Sequence, residues 1–153
     1  MNSFPERLRR LIAETEPRLR AIAETAAGAA PPDPNGWAMT QELGHLVDSA
    51  INNRVRFIKA ALEGEFDGPT YDGPGWVKLG AYATMPWHAV IDLWRGLNQS
   101  LASVLDGLPE ERLAAPCRVG GRDAVSLEFL IDDYLRHLEH HLRHIFSVAH
   151  PAR

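Results

Sequence analysis

Four of the chain's seven histidines fall within eight residues, in the pattern His137-x-x-His140-His141-x-x-His144. They lie inside an apolar run from Ser126 to Val148. If that run is a helix, His137 and His141 stand one turn apart and project from the same side. Neutral imidazole is the commonest transition-metal side-chain ligand, and an i, i+4 pair on a helix can hold one divalent ion. At about 100° per residue, His137, His141 and His144 fall within about 60° of one another on one edge of the apolar stripe, whereas His140 turns outward with Arg136 and Arg143. That edge borders both core and solvent, which suits a ligand that needs a desolvated bond and an access route. A third corner must come from elsewhere, and His45, in a separate helical pattern, is the candidate. The fourth corner would take water or substrate. Three neutral ligands leave a dication's charge uncompensated, and such an ion lowers the pKa of a bound water or thiol and polarises a carbonyl. All-nitrogen donors suit zinc, nickel, cobalt or copper.

Duller readings compete for the same residues. Histidines near a helix C-terminus are favoured by the helix dipole and often only solvate the surface. His45 shares its stripe with Ser49, Asn52 and Arg56, nearly opposite the apolar face, so periodicity alone exposes it. A bundle can also turn such a stripe inward to line a cavity, and the helical wheel does not decide between the two. His144 reads as a group behind the ligands or in a pocket. His88 and His150 read as incidental.

Four helical segments must position these residues. Ser3-Phe-Pro-Glu6 has the form of a capped helix start, and Leu8, Leu11, Ile12, Leu19 and Ile22 carry the pattern to about Ala27, with a kink or break expected at Pro17. Gly28 to Gly36, with three prolines, is a connector. A second helix is expected from Thr40 as N-cap to Glu63, stopped by Gly64, with Leu43, Leu46, Val47, Ala50, Ile51, Val55, Ile58 and Leu62 as its apolar face. Turn signals at Pro69, Asp72-Gly73 and Pro74-Gly75 predict a long irregular loop over 65–84, anchored by Tyr71, Trp76 and Tyr82. Pro86 opens a third helix through Trp87, Ile91, Trp94, Leu101 and Leu105 to Gly107. Pro109 to Leu113 is a helical turn, and Val119 to Asp123 a turn before the fourth helix, Val125 to Val148, capped by Asp123 or Ser126. No strand pattern is evident. The expectation is an all-α four-helix bundle with a long loop between helices two and three, its helices of ~20–25 residues spanning ~30–37 Å.

Composition narrows the classes. The 153 residues are 45% hydrophobic and 24% charged with net charge −4, which fits a single globular domain over 1–153. Only two lysines, Lys59 and Lys78, are present and the arginines are scattered, against a nucleic-acid partner. The single cysteine, Cys117, excludes an intrachain disulfide and reads as a packed residue in a turn. The start Met1-Asn-Ser-Phe-Pro-Glu-Arg has no apolar leader, and no apolar stretch reaches membrane-spanning length, so the expected location is cytoplasmic.

Two stretches then carry a resemblance. Trp37-Ala-Met-Thr-Gln-Glu-Leu-Gly-His45-Leu-Val-Asp-Ser-Ala-Ile-Asn-Asn-Arg54 resembles the second-helix signature of the DinB-like (YfiT-like) superfamily. Asp133-Tyr-Leu-Arg-His137-Leu-Glu-His-His141-Leu-Arg-His-Ile145 resembles its last-helix signature. The resemblance implies a four-helix bundle with a divalent metal, zinc or nickel first among candidates, held at one end by His45, His137 and His141, with His140 outside the set. It implies a small-molecule substrate, no nucleic acid or membrane partner, and a homodimer. Some members resemble transferases or isomerases that use a low-molecular-weight thiol such as bacillithiol or mycothiol; others look like hydrolases.

The resemblance supplies no catalytic base. Asp48, Asn52 and Asp133 are candidates to orient an imidazole or bind substrate, with structural hydrogen bonding as their default role. Tyr134 is expected to point toward the same end, and Tyr71 and Trp76 to wall the pocket or anchor the core. Arg54 and Arg56 are candidate anion contacts. The functional expectation is thiol transfer to a small electrophile by a metal-dependent enzyme. The alternatives are metal-dependent hydrolysis and a non-catalytic metal- or ligand-binding stress protein.

Overall fold

The computed structural model describes residues 3–151. Met1 and Asn2, with which the segment read above for an apolar leader begins, lie outside the described residues, as do Ala152 and Arg153. Four long helices dominate: α1 (Phe4–Arg20), α3 (Met39–Glu63), α5 (Trp87–Asp106) and α6 (Leu127–Ala149). A short α2 (Glu24–Ala27) follows the first, and a short α4 (Gly73–Leu79) follows the second. Helix α3 packs on α5 and α6, and α1 packs on the same two. The first and second long helices therefore sit on opposite corners of a four-helix bundle. No helix among the described residues is long and apolar enough to cross a membrane.

The core follows the apolar stripes. Leu8, Ile12 and Leu19 of α1 meet Val90, Ile91, Trp94, Leu101 and Leu105 of α5 and Ile131, Leu135, Leu138, Leu142 and Ile145 of α6, all buried. Each fully buried side chain of this size contributes about 1.5–3 kcal/mol of transfer free energy. On α6 this stripe runs alongside the histidines, so the core backs the polar end directly.

Several boundaries differ from the sequence expectation. The first helix runs through Pro17 and ends at Arg20, so the break falls at Ala21–Ala23. Ser3 makes no side-chain cap bond. The second begins at Met39, where Gln41 Oε1 accepts from the Ala38 amide at 2.9 Å; Thr40 is a buried first-turn residue, not the cap. Gly64 ends that helix in the left-handed region at φ 82°, as its position implied. Ser126 is the cap of α6, accepting from the Phe129 amide at 3.1 Å.

The expected loop over 65–84 is largely ordered. It holds β1 (Phe66–Gly68), α4, and a 3₁₀ turn at Tyr82–Thr84. Strand β1 pairs in parallel with β2 (Pro116–Val119), which pairs antiparallel with β3 (Val125–Ser126), in registers Phe66 to Cys117 and Cys117 to Val125. These strands are too short for periodicity to reveal. Cys117 consequently lies in a strand and not in a turn, buried, with its thiol donating to the Ala115 carbonyl at 3.6 Å. The sheet ties the segment after α3 to the start of α6, so it fixes how residues 66–72 lie over the polar end of the bundle.

The apolar face of α3 also differs. Ile51, Val55 and Leu62 are exposed, whereas polar Glu42, Asp48, Ser49 and Asn53 are buried. The N-terminal half of α3 is covered by α4 and the 3₁₀ turn as well as by α5 and α6. A helix enclosed on more than one side has no single solvent face.

Candidate metal centre

The polar end of α3 faces the C-terminal half of α6, and three imidazoles meet there. His45 Nε2 lies 3.3 Å from His137 Nε2, and His141 Nε2 lies 3.2 Å from the same atom. One ligand nitrogen from each of the three rings falls within 4.8 Å of the other two. A tetrahedral ion with bonds of ~2.0–2.1 Å needs donors about 3.3 Å apart. Two of the three separations match an edge of one coordination shell and the third lies within 4.8 Å, and the rings stand at 67–72° to one another.

Protonation agrees with that use. Burial, then the neighbouring imidazoles His141 and His137, push His45 down to about 4. Burial, then His141, push His137 down to about 4. Both rings are thus neutral at pH 7, with a lone pair to give. Behind His141, its Nδ1–H donates to Glu42 Oε1 at 3.0 Å, which sets the tautomer and leaves Nε2 facing the other two rings. His144 Nδ1–H donates to both Glu42 oxygens, at 2.8 and 2.7 Å. Burial alone would raise Glu42, but the hydrogen bonds from His141 and His144 outweigh it and hold the carboxyl below its ordinary value. His45 packs against Trp37 at 5.0 Å between ring centroids, and its Nδ1 is buried without a partner, near Gly73.

Glu42 and Trp37 were not singled out from the sequence. Glu42 stands three residues before His45, so it shares a face with it, and a carboxylate at that offset is the one available signal. His140 is exposed, as the wheel required, and so are His88 and His150. Asp48 accepts from Tyr82 Oη at 2.6 Å, and Asn52 donates to the Asp48 carbonyl at 2.9 Å, so both serve the helix and its packing. Tyr134 donates to buried Asn98 at 2.5 Å. Arg54 donates to Ser100 at 3.2 Å, on the α5 side.

A cavity of about 180 Å³ adjoins His137, lined also by Ser49, Asn53, Arg56, Tyr71 and Asp133. Tyr71 therefore walls the site from the segment after α3, as expected of it. Trp76 packs behind it, tilted by 58° with 5.2 Å between ring centroids, but lines another groove with Ile51 and Val55. The arrangement offers three neutral nitrogens toward one point, a carboxylate locking one of them from behind, and a polar cavity on the open side.

Comparisons with known proteins give the chain's likenesses. The sequence profile of the DinB superfamily matches residues 7–145. A protein of Oceanobacillus iheyensis named "putative metal-dependent hydrolase" is 28% identical over 114 residues, 74% of this chain and 66% of its own length. One of the same name from Geobacillus thermodenitrificans is 27% identical over 116 residues, 74% of this chain and 64% of its own. The matched stretch spans just under two thirds of each of these relatives. YfiT from Bacillus subtilis, described as "a probable metal-dependent hydrolase with an unusual four-helix bundle topology", superposes with a TM-score of 0.82. That match covers 96% of this chain and 84% of YfiT at 21% identity, a likeness of fold.

Proposed function

Because the chain belongs to the DinB superfamily, we propose that it is a metal-dependent hydrolase of a small electrophilic substrate, with His45, His137 and His141 holding one divalent ion, zinc or nickel. The observation that carries this reading is the convergence of three Nε2 atoms from two helices at 3.2 and 3.3 Å. Its relatives' names point the same way. A bound dication would supply a Lewis acid that activates a nucleophile and polarises a carbonyl. The chain's own residues do the rest. The three imidazoles bind as neutral groups. Glu42 keeps the His141 proton on Nδ1 and fixes the ring's orientation. Occupied by two imidazoles on the far side of His141, Glu42 is not placed to act as a base in the cavity. Asp133 lines the cavity beside His137 and is the carboxylate positioned to take a proton from an attacking nucleophile.

Thiol transfer is the second reading, and Arg56 favours it. A guanidinium at the cavity wall can hold the carboxylate of a low-molecular-weight thiol such as bacillithiol or mycothiol, whose sulfur would be the nucleophile. A cytoplasmic homodimer acting on a small molecule completes the proposal; a monomeric mass in solution scattering would reject the dimer.

Elemental analysis of protein purified without an affinity tag tests the centre. About one divalent ion per chain is expected, falling to background when all three histidines become Ala. Metal content unchanged by that triple substitution would reject the site. A turnover screen of the reconstituted protein, with and without thiols, separates the chemistries: product in water alone supports hydrolysis, and product only with a thiol supports transfer.

A further inference from the structure

The cavity beside His137 contains a cation with no anion. Arg56 is partly buried, and among the described residues its guanidinium makes two long hydrogen bonds, 3.5 Å to Asn53 Oδ1 and 3.4 Å to the Pro69 carbonyl. No carboxylate lies within ion-pair distance of it among the described residues. The chain does pair arginines where carboxylates are near: Arg7, Arg9, Arg20, Arg95 and Arg136 each meet at least one. Asp133 shares the cavity wall, but it is 62% exposed and its ion-pair partner is Arg136, at 3.9 Å. Burial lowers the Arg56 pKa and Tyr71 offsets it only in part, so the charge is held at a cost that no carboxylate among the described residues repays.

The surroundings complete an anion cradle. Tyr71 stacks under Arg56 with 5.9 Å between guanidinium carbon and ring centroid. Burial pushes the Tyr71 hydroxyl up against a hydrogen bond with Ser49 that lowers it, so the phenol stays protonated at neutral pH. Asn53 gives its amide NH₂ to the Ser49 carbonyl at 2.9 Å, which turns its oxygen toward Arg56 and orients the fork. The volume, 180 Å³, lies below the ~300–1,000 Å³ of drug-sized sites and suits a small molecule.

We propose that the cavity walled by Arg56, Tyr71 and His137 is the recognition site for a small carboxylate ligand, its anionic end on Arg56 and Tyr71 and its reacting end toward the three imidazoles. This deepens the enzyme reading above and rests on it for the word "reacting" alone; the anion cradle itself does not need the metal. The carboxylate can belong to the substrate or to a thiol co-substrate, since the chemistry that Arg56 recognises is common to both.

The test starts with chelator-treated, metal-free protein. Titrating acetate, then succinate, while following the Arg56 Nε–H resonance by NMR is expected to give a saturable shift. Arg56→Gln is expected to weaken succinate binding at least tenfold, followed in that variant through the fluorescence of Trp76, which packs on Tyr71. Arg56→Lys keeps the charge but not the fork and is expected to fall between. Tyr71→Phe is expected to weaken binding severalfold with unchanged helicity. Metal content of Arg56→Gln is expected to equal that of the parent, which keeps a failure here distinct from a failure of the metal centre. In the metal-loaded protein, tighter binding of N-acetylcysteine than of N-acetylalanine assigns the anion to the thiol, and equal saturable binding assigns it to the substrate. Absence of saturation with every probe, or equal succinate affinity in parent and Arg56→Gln, would overturn the proposal.

Discussion

Glu42 accepts from two imidazoles at once, and only one of them, His141, faces the other two rings. Its side chain is 8% exposed and that of His141 20%, so the bond between them is largely shielded from water. Removing the charge with Glu42→Gln leaves the His141 Nδ1–H poorly paired, and loss of such an orienting carboxylate typically costs 10–100-fold in metal affinity. The expectation is therefore one ion per chain held about 10–100-fold more weakly, measured by competition with a chromophoric chelator. His144→Ala should do less, because its ring is 57% exposed and Glu42 keeps His141 as a partner. Equal affinity in parent and Glu42→Gln would show that the carboxylate is only structural. The same residue explains one limit of the sequence reading. The histidine spacing exposed His137 and His141, because i, i+4 is a geometric statement about one helix, whereas His45 joined them through the family resemblance. The contact between Glu42 and His141 joins residues 99 apart, and only packing creates it.

Helix α3 presents its polar residues to the interior because Gly44 lets Tyr82 lie flat against it. A Cβ on Gly44 would fall inside the Tyr82 ring. The Tyr82 hydroxyl then reaches Asp48, one turn further along, and closes the 3₁₀ turn over the helix. Gly44→Ala gains about 1 kcal/mol of helix propensity but forces the ring away, and overpacking of this kind costs ~1–3 kcal/mol beside the loss of a buried hydrogen bond. A net fall in melting temperature is expected by calorimetry. A variant more stable than the parent would mean that Tyr82 moves freely. This contact also shows which parts of the fold were legible. Helices α5 and α6 were readable from Trp87, Trp94, Leu135 and Leu142, because each buries one stripe and exposes the other. The N-terminal half of α3 was not: it is covered on several sides, so Asp48 and Ser49 are buried while Ile51 is exposed, and the wheel left the side of His45 undecided. The small sheet escaped for another reason: its longest strand has four residues, too few for alternation to register.

Bringing three imidazoles into one buried pocket ties the stability of the whole molecule to pH. His45 and His137 fall from an ordinary 6.5 to about 4, chiefly by burial and then by one another's neighbours. Their folded values are depressed, so between pH 6.5 and about 4 the unfolded chain binds more protons than the folded one, and stability rises with pH across that window. Their contribution is whole above pH 6.5 and disappears as pH falls through about 4. Glu42, also depressed, acts in the same direction at the acidic end. Asp48 opposes them there, since burial raises it and its protonated form suits the fold. Two histidines outweigh one carboxylate through most of the interval. Each tenfold difference in proton affinity between folded and unfolded chain is worth ~1.4 kcal/mol, reduced here by the solvent that still reaches both rings. Urea unfolding of chelator-treated protein should therefore lose a few kcal/mol between about pH 7 and pH 4.5. Replacing His45 and His137 with Gln should flatten that slope while leaving the bundle helical by circular dichroism. Excess zinc should move the parent's acid limb to lower pH, because an ion that binds only the folded state adds RT ln(1 + [M]/Kd) to its stability, and should leave the double variant unmoved. A parent whose stability is flat from about pH 7 to pH 4.5, or a double variant that zinc still protects, would mean that the rings neither titrate nor bind as a unit.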